Sequence, residues 1–266
     1  MSPTKCCVMF SGGACSFLAA VRAVERFGAE NTTLLFSDTQ MEDGDLYRFL
    51  REGALLLGAN LVELQTVPMF DLIRQHKSIP NSQMAFCSSE LKVIPAQKWI
   101  QDHPHDVLVF GITWVEMHRL ERIRARWASH SCWFPLTEPA TMFDGNHLQV
   151  CRDMGIEPPR LYDLGFAHNN CGGTCIRGGQ GAWKFAYQAF PERVGAWAAL
   201  EDEISELHGK PCTILRDRRG GTTTPLPLRE FMKRCDEQPT LVDDFDIGGC
   251  GCFVDELPTT TEAQDL

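Results

Sequence analysis

Three short stretches of this 266-residue chain carry side chains whose types and spacing could do chemistry. The first is Ser11-Gly12-Gly13-Ala14-Cys15-Ser16. Glycines between a strand and a helix let backbone N–H groups turn toward an anion, and a helix start adds partial positive charge. The hydroxyls of Ser11 and Ser16 can donate to the same anion. The Gly-Lys-Ser/Thr ending of a Walker loop is absent, as are the three spaced glycines of a dinucleotide fingerprint. An ordinary tight turn would use the same residues. The second and third stretches are His168-Asn169-Asn170-Cys171-Gly172-Gly173-Thr174-Cys175 and Cys250-Gly251-Cys252. Cysteines separated by flexible glycines can bring their sulfurs onto one ion or cluster. Reduced thiols without a ligand are the alternative. The two-residue spacings usual for structural zinc are missing, which favours an iron–sulfur cluster over zinc. His168 and Asn170 either line such a site or cap its turn.

The elements that must position these residues follow from periodicity. Cys6–Phe10 reads as a buried strand feeding the glycine turn, and Phe17, Ala20, Val24 and Phe27 then fall on one helical face. Thr32–Phe36 is a second strand ending at Ser37-Asp38-Thr39. Leu46, Phe49, Leu50 and Leu57 mark a helix closing near Gly58. Leu61–Leu64 is a third strand and Val107–Ile112 a fourth, ending at Gly111. Strands alternating with helices predict an α/β fold, an open parallel sheet with helices on both faces. Ligands in such sheets sit at the carboxyl ends of the strands, where Ser11, Asp38 and the segment after Gly111 lie.

Beyond Trp133 the pattern is less regular. Helices are expected at His147–Met154, over Val194, Trp197, Ile204 and Leu207, and at Leu228–Arg234. A strand is expected at Cys212–Arg216 and a turn at Arg219-Gly220-Gly221. The expected organisation is a nucleotide-binding domain over 1–135, an α-rich cysteine-bearing region over 136–257, and a disordered tail over 258–266. An apolar content of 44% suits a sizeable core. The net charge of −10 argues against a broad footprint on duplex nucleic acid, so any nucleic-acid substrate is gripped locally. With no signal peptide visible and no apolar stretch long enough to cross a bilayer, a soluble, cytoplasmic protein with no membrane partner is expected. In that reducing setting the 12 cysteines are candidates for metal, cluster or redox roles rather than a disulfide framework.

Phe10–Ser16 resembles the PP-loop of the adenine-nucleotide α-hydrolase superfamily, which includes ATP pyrophosphatases, tRNA thiolases and sulfonucleotide reductases. Many ATP pyrophosphatases carry Lys-Asp where this chain has Ala14-Cys15. Asp38 sits where that family reads the adenosine moiety or a metal, and a helix N-cap is its other reading. Cys87-Ser88-Ser89-Glu90-Leu91-Lys92-Val93-Ile94-Pro95 is similar to the reductase segment in which one or two cysteines precede Lys-x-x-Pro. Paired cysteines there bind a four-iron four-sulfur cluster, whereas this chain keeps Cys87 and has Ser88 in the second place. Lys92 would supply a cation near phosphate or sulfate; a solvated lysine is the alternative. Gly111–Arg122 resembles the segment whose arginines reach the nucleotide phosphates, with Arg119 and Arg122 as i,i+3 neighbours. A solvated charged helix is the other reading, and it suits Arg124 and Arg126 better.

The resemblance implies an adenine nucleotide as cofactor or substrate, either ATP or the sulfonucleotides PAPS and APS, with Mg²⁺ as an accessory ion. It also implies cluster or metal ligands at Cys87, Cys171, Cys175 and one of Cys250 and Cys252, here Cys250. The second half is similar to reductase-like proteins of bacteria and their phages. Reductases proper end in Glu-Cys-Gly-x-His, and the nearest feature here, Cys250-Gly251-Cys252-Phe253, lacks the Glu and the His. Three functions are therefore carried forward. The first is ATP-dependent adenylation and sulfur transfer to a nucleic acid or small molecule, with Lys92 and Arg119 as charge-neutralising groups and a sulfur-donor protein as partner. The second is sulfonucleotide reduction with Cys252 as the reacting thiol. The third is a nucleotide or cluster sensor without turnover. Oligomeric state is not legible.

Overall fold

The computed structural model describes residues 3–82, 84–139 and 146–248. The strands are β1 Cys6–Met9, β2 Thr32–Asp38, β3 Asn60–Gln65, β4 Val107–Phe110, β5 Ser131–Trp133, β6 Leu215–Asp217 and β7 Thr224–Leu226. The helices of the first half are α1 Ala14–Phe27, α2 Gly44–Leu57, α3 Met69–His76, the single turn α4 Phe86–Ser88, α5 Ile94–Asp102 and α6 Leu120–Arg126. Those of the second are α7 His147–Asp153, α8 Arg160–Asp163, α9 Gln180–Ala189, α10 Pro191–His208 and α11 Leu228–Glu237. They belong to two units that interleave along the sequence.

The sheet unit comprises residues up to Asp38, Glu42–Thr66 and Lys92–Asn170. Its five strands are ordered β3-β2-β1-β4-β5 and all neighbours pair in parallel. Such a sheet is covered on both faces, so its strands read as continuous apolar runs; all four residues of β1 are buried. Alternation divides them between two cores. Cys6, Val8, Phe10, Leu34, Phe36 and Val109 pack with Phe17, Leu18, Phe49 and Leu50 of α1 and α2. Phe110 on the opposite phase stacks with Phe134 at 5.5 Å and meets Trp127 at 6.2 Å. Met9 stands level with both Leu35 and Phe110, which brings the carboxyl ends of β1, β2 and β4 together. The chain order reverses between β1 and β4, the position where open α/β sheets bind ligands. The expected α/β architecture is the one observed.

The helical unit comprises Thr39–Met41, Val67–Leu91 and the chain from Cys171 on. Its spine is α10, whose buried side is Val194, Trp197, Ala198, Glu201 and Ile204. The expected apolar face continued to Leu207, but that residue is 58% exposed. The buried place nearer the centre goes to Glu201, whose carboxylate accepts the amides of Ile214 (2.8 Å) and Leu228 (2.6 Å). It thereby ties α10 to both flanks of the antiparallel β6–β7 hairpin. Trp197 packs edge-on against Trp183 of α9 at 6.0 Å and against Phe70 of α3 at 4.8 Å. Among the described residues no helix is long and apolar enough to cross a membrane.

Candidate functional site: a glycine turn at the switch point of the sheet

Phe10 extends the β1–β2 ladder by donating to Leu35 O at 2.8 Å, and the chain then leaves the sheet through Ser11, Gly12 and Gly13. Gly12 has φ +77°, and a Cβ on it would lie 2.7 Å from Leu46 Cγ, so both backbone and space require glycine. Gly13 is the N-cap of α1 in extended conformation, and neither it nor an acidic residue of the first turn caps the helix with a side chain. Among the described residues the amides of Gly12, Gly13, Cys15 and Ser16 find no acceptor in another residue. They sit at the positive end of a 14-residue helix. Ser16 Oγ donates back to Gly13 O at 2.8 Å, so its hydroxyl braces the turn, whereas Ser11 is half-buried at the mouth.

Three residues distant in sequence close around this turn. Gly111, just past β4, approaches α1 so closely that a Cβ would lie 2.7 Å from Cys15 O and 2.8 Å from Ser16 Cα. Tyr162 brings its hydroxyl to 3.4 Å from the Ala14 amide. Asn169, 3% exposed, donates from Nδ2 to Gly12 O at 3.1 Å, and its buried Oδ1 has no partner among the described residues. Neither Tyr162 nor Asn169 announces this role in sequence. The contact between Asn169 and Gly12 spans 157 positions, and no local pattern encodes it.

At the end of β2 lie Asp38, Glu42 and Lys92, all buried to within a tenth of exposure or less. Asp38 accepts from Tyr47 Oη at 2.8 Å and Gln65 Nε2 at 3.5 Å. It does not cap a helix; the N-cap of α2 is Asp43, whose Oδ1 accepts the Asp45 amide and which Arg160 grips twice, at 2.7 and 2.8 Å. Burial, and then the carboxylate of Asp38, push the Tyr47 phenol well above its usual range. Lys92 Nζ stands 3.8 Å from Glu42 Oε1, and the Lys92 carbonyl accepts Ser37 Oγ at 3.3 Å. The lysine is thus an inward-facing cation beside β2 rather than a solvated one. The third group follows β4. Arg119 is buried and ion-paired with Glu116, while Arg122 on α6 is exposed. Glu116 is close enough to Cys15 to help raise its thiol, which burial chiefly pushes up to about 12.

In the helical unit Cys87 lies buried in the α4 turn, which runs into a wide five-residue turn at Ser89–Val93. Such widened turns recur at functional sites. The adjacent hydroxyls of Ser88 and Ser89 are buried with no partner among the described residues. Cys171 is buried with φ +48°. Gly172 beside it has φ +58°, and a Cβ there would strike Met41 O at 2.7 Å. Thr174 locks the turn by donating to Cys171 O at 2.9 Å while accepting Trp197 Nε1 at 3.1 Å. Cys175 is half-buried. Three residues after it, Gly178 forms an antiparallel bridge with Gly248. Cys250 and Cys252 lie outside the described residues. Among those described, no three His, Cys, Asp or Glu side chains gather as a metal site. His168 is exposed.

The class these features define is a parallel α/β protein with a glycine turn and bare helix start at its switch point. No protein-family model matches the chain, and no curated protein sequence matches it. Among solved structures, it is similar to phosphoadenylyl-sulfate (PAPS) reductase from Candida auris. That match has 15% identity and a TM-score of 0.46, covering 64% of this chain and 81% of the other. It is also similar to a U34-tRNA thiolase from Methanococcus maripaludis described with its four-iron four-sulfur cluster. Identity there is 12% and the TM-score 0.43, over 97% of this chain and 82% of the other. A predicted tRNA methyltransferase subunit from Methanocaldococcus jannaschii matches at 16% identity and TM-score 0.29, over 58% of this chain and 90% of the other.

Proposed function

We propose that this chain is an adenine-nucleotide enzyme of the PP-loop type, which holds the phosphates of ATP on the Ser11–Ser16 turn and adenylates an acceptor for sulfur transfer. The observation that carries the reading is the set of amides at Gly12, Gly13, Cys15 and Ser16 without an acceptor in another described residue, at the positive end of α1. Backbone donors fixed in place neutralise developing phosphate charge without reorganising. In this reading an acceptor oxygen attacks the α-phosphorus, the bond to the bridging oxygen breaks, and pyrophosphate leaves while held by the turn. Lys92 and Arg119 add positive charge, and their carboxylate partners Glu42 and Glu116 keep them buried before nucleotide enters. Asp38 reads the adenosine moiety or an accessory Mg²⁺, and exposed Arg122 contacts the outer phosphates.

A cluster or zinc ion on Cys87, Cys171, Cys175 and Cys250 belongs to the same proposal. Its support is that the first three share one unit and that the bridge at Gly248 ends two residues before Cys250. Such a group, when bound, supplies a point of attachment for sulfur. Reduction of a sulfonucleotide by Cys252 is the second reading. Burial raises Cys7, Cys15 and Cys151 of the sheet unit far above the range of a nucleophile, so this reading uses Cys252 rather than any of them. Product analysis separates the two: pyrophosphate from ATP supports adenylation, and sulfite from PAPS or APS supports reduction. Nucleotide binding with neither product would support a sensor. Iron, zinc and labile-sulfide analysis of anaerobically purified protein tests the metal assignment, and metal-free protein would overturn it.

A further inference from the structure

Gly12 and Gly13 flank one peptide unit of the turn, and neither carries the Cβ that restrains a peptide plane elsewhere. Gly12 has φ +77°, and Gly13 is extended at φ −95° and ψ 159°. The peptide between them is trans, so its C=O and its N–H point in opposite directions. Turning the unit over about its flanking bonds would exchange Gly12 O and the Gly13 N–H at little steric cost. One orientation offers an anion a backbone donor, and the other offers it a carbonyl oxygen that repels it. Two glycines cannot choose between them.

Asn169 makes the choice. Its Nδ2 donates to Gly12 O at 3.1 Å, and no other donor among the described residues reaches that carbonyl. The reverse placement of the side-chain amide would set Oδ1 against Gly12 O, acceptor on acceptor, so the nitrogen is the inner atom. Oδ1 is itself buried and has no partner among the described residues, on a side chain 3% exposed. An orphaned interior oxygen costs stability, and an apolar side chain filling the same space would avoid that cost. What asparagine adds over such a side chain is the donor. With Gly12 O held, the Gly13 N–H turns away from Asn169, at a half-buried residue, and no other described residue accepts it.

We propose that Asn169 is a positioning residue for phosphate, which fixes the Gly12–Gly13 peptide with its N–H toward the anion. This rests on the phosphate reading of the Ser11–Ser16 turn. Both partners belong to the sheet unit, yet Asn169 stands two residues before Cys171 in the glycine-rich cysteine stretch. A carboxylate in its place would reverse the device. It cannot donate to Gly12 O, and turning the peptide over would give it the Gly13 N–H in a charge-assisted bond.

The test uses the full ¹⁵N-labelled chain, native and with Asn169→Ala or Asn169→Asp, titrated with Mg²⁺–ATP and with inorganic pyrophosphate. In the native chain without ligand the Gly13 amide should exchange rapidly with water, and saturation should slow it. Asn169→Ala, which lets the peptide turn either way, is expected to weaken binding of both probes about tenfold. Its Tm should move by no more than about 3 °C, because removing the orphaned oxygen offsets the lost bond. Asn169→Asp, close to asparagine in volume, is expected to weaken binding about a hundredfold and to protect the Gly13 amide before any ligand is added. His168→Ala alters an exposed neighbour and is expected to leave binding within twofold. A native chain that binds neither probe would remove the phosphate reading, while rapid Gly13 exchange and its slowing in Asn169→Asp would still establish how the peptide is held. Protection of Gly13 in the native chain without ligand, which can be read even where a variant fails to fold, would overturn the proposal. So would Asn169→Ala binding both probes as tightly as the native chain.

Discussion

Replacing Gly111 by alanine tests whether the glycine turn works because β4 lets α1 sit where it does. The new Cβ would lie 2.7 and 2.8 Å from Cys15 O and C and 2.8 Å from Ser16 Cα. All three are backbone atoms of the first turn of α1, so no side-chain rotation relieves the contact. Restoring ordinary van der Waals separation takes a movement of roughly 0.7 Å, and overpacking of this kind costs about 1–3 kcal/mol. In a chain of this size that is a fall in Tm of roughly 2–4 °C for each kcal/mol. The displaced atoms are those whose amides are proposed to face phosphate. Hydrogen bonds lengthened by such a shift lose much of their strength, so ATP affinity is expected to drop about tenfold or more, at about 1.4 kcal/mol per decade. Isothermal titration and thermal melting measure the two effects. Gly195→Ala is the matched control, because its Cβ meets nothing within 4 Å in the middle of α10. It is expected to gain up to about 1 kcal/mol from helix propensity and to bind ATP unchanged. If Gly111→Ala melted and bound like the native chain, the argument that β4 positions the turn would be refuted.

Three further outcomes follow from the same contacts. Glu201 has its carboxyl pushed up to about 7 from 4.5, chiefly by burial. Between those values the unfolded chain has released a proton that the folded chain keeps, so stability present below pH 4.5 is lost as pH rises through 7. The gap amounts to roughly 3 kcal/mol, and denaturant melts should show Glu201→Gln losing that share of the slope. Cys15 and Cys151, both pushed up to about 12, carry on the order of 10⁻⁴ thiolate at pH 8. Iodoacetamide followed by peptide mass analysis should leave them unmodified in the folded protein, and rapid labelling would contradict their burial. Arg160→Ala removes both guanidinium donors from Asp43, whose side chain is 1% exposed. With Arg160 itself half in solvent, the cost is expected at about 1–3 kcal/mol, and melts within 0.3 kcal/mol of native would count against the pairing.

The centre of the sheet was readable because β1, β2 and β4 are largely buried. Cys6–Met9 and Val107–Phe110 are unbroken apolar runs, and the 3.6-residue spacing of α1 and α2 is clean. Two elements of three residues left no such trace: β5 and β7 are too short to display a period, and β7 includes Pro225, whereas β6 overlaps the strand expected at Cys212–Arg216. The glycine turn was legible for the same local reason as the strand before it. What surrounds the turn was not. Gly111, Tyr162 and Asn169 reach it from three other segments, and only folding reveals their distance from it. Asp38 shows the limit of local reading from the other side. Capping chemistry fits the residue, yet the helix begins at Asp43, five residues on, because Asp38 is spent within β2 and on Tyr47. The smallness of Gly179 and Gly181 has a packing use, admitting Asp243, Asp244 and Asp246 at close range.

The most direct test of the account is where nucleotide binds. In a ¹⁵N-labelled sample titrated with ATP and Mg²⁺, the amides of Gly12, Gly13, Cys15 and Ser16 should shift together and saturate with one Kd. Lys92→Ala should weaken that Kd without moving the set of responding amides. ATP that binds while those four amides stay still, or that fails to bind at millimolar concentration, would contradict the claim that this turn grips phosphate.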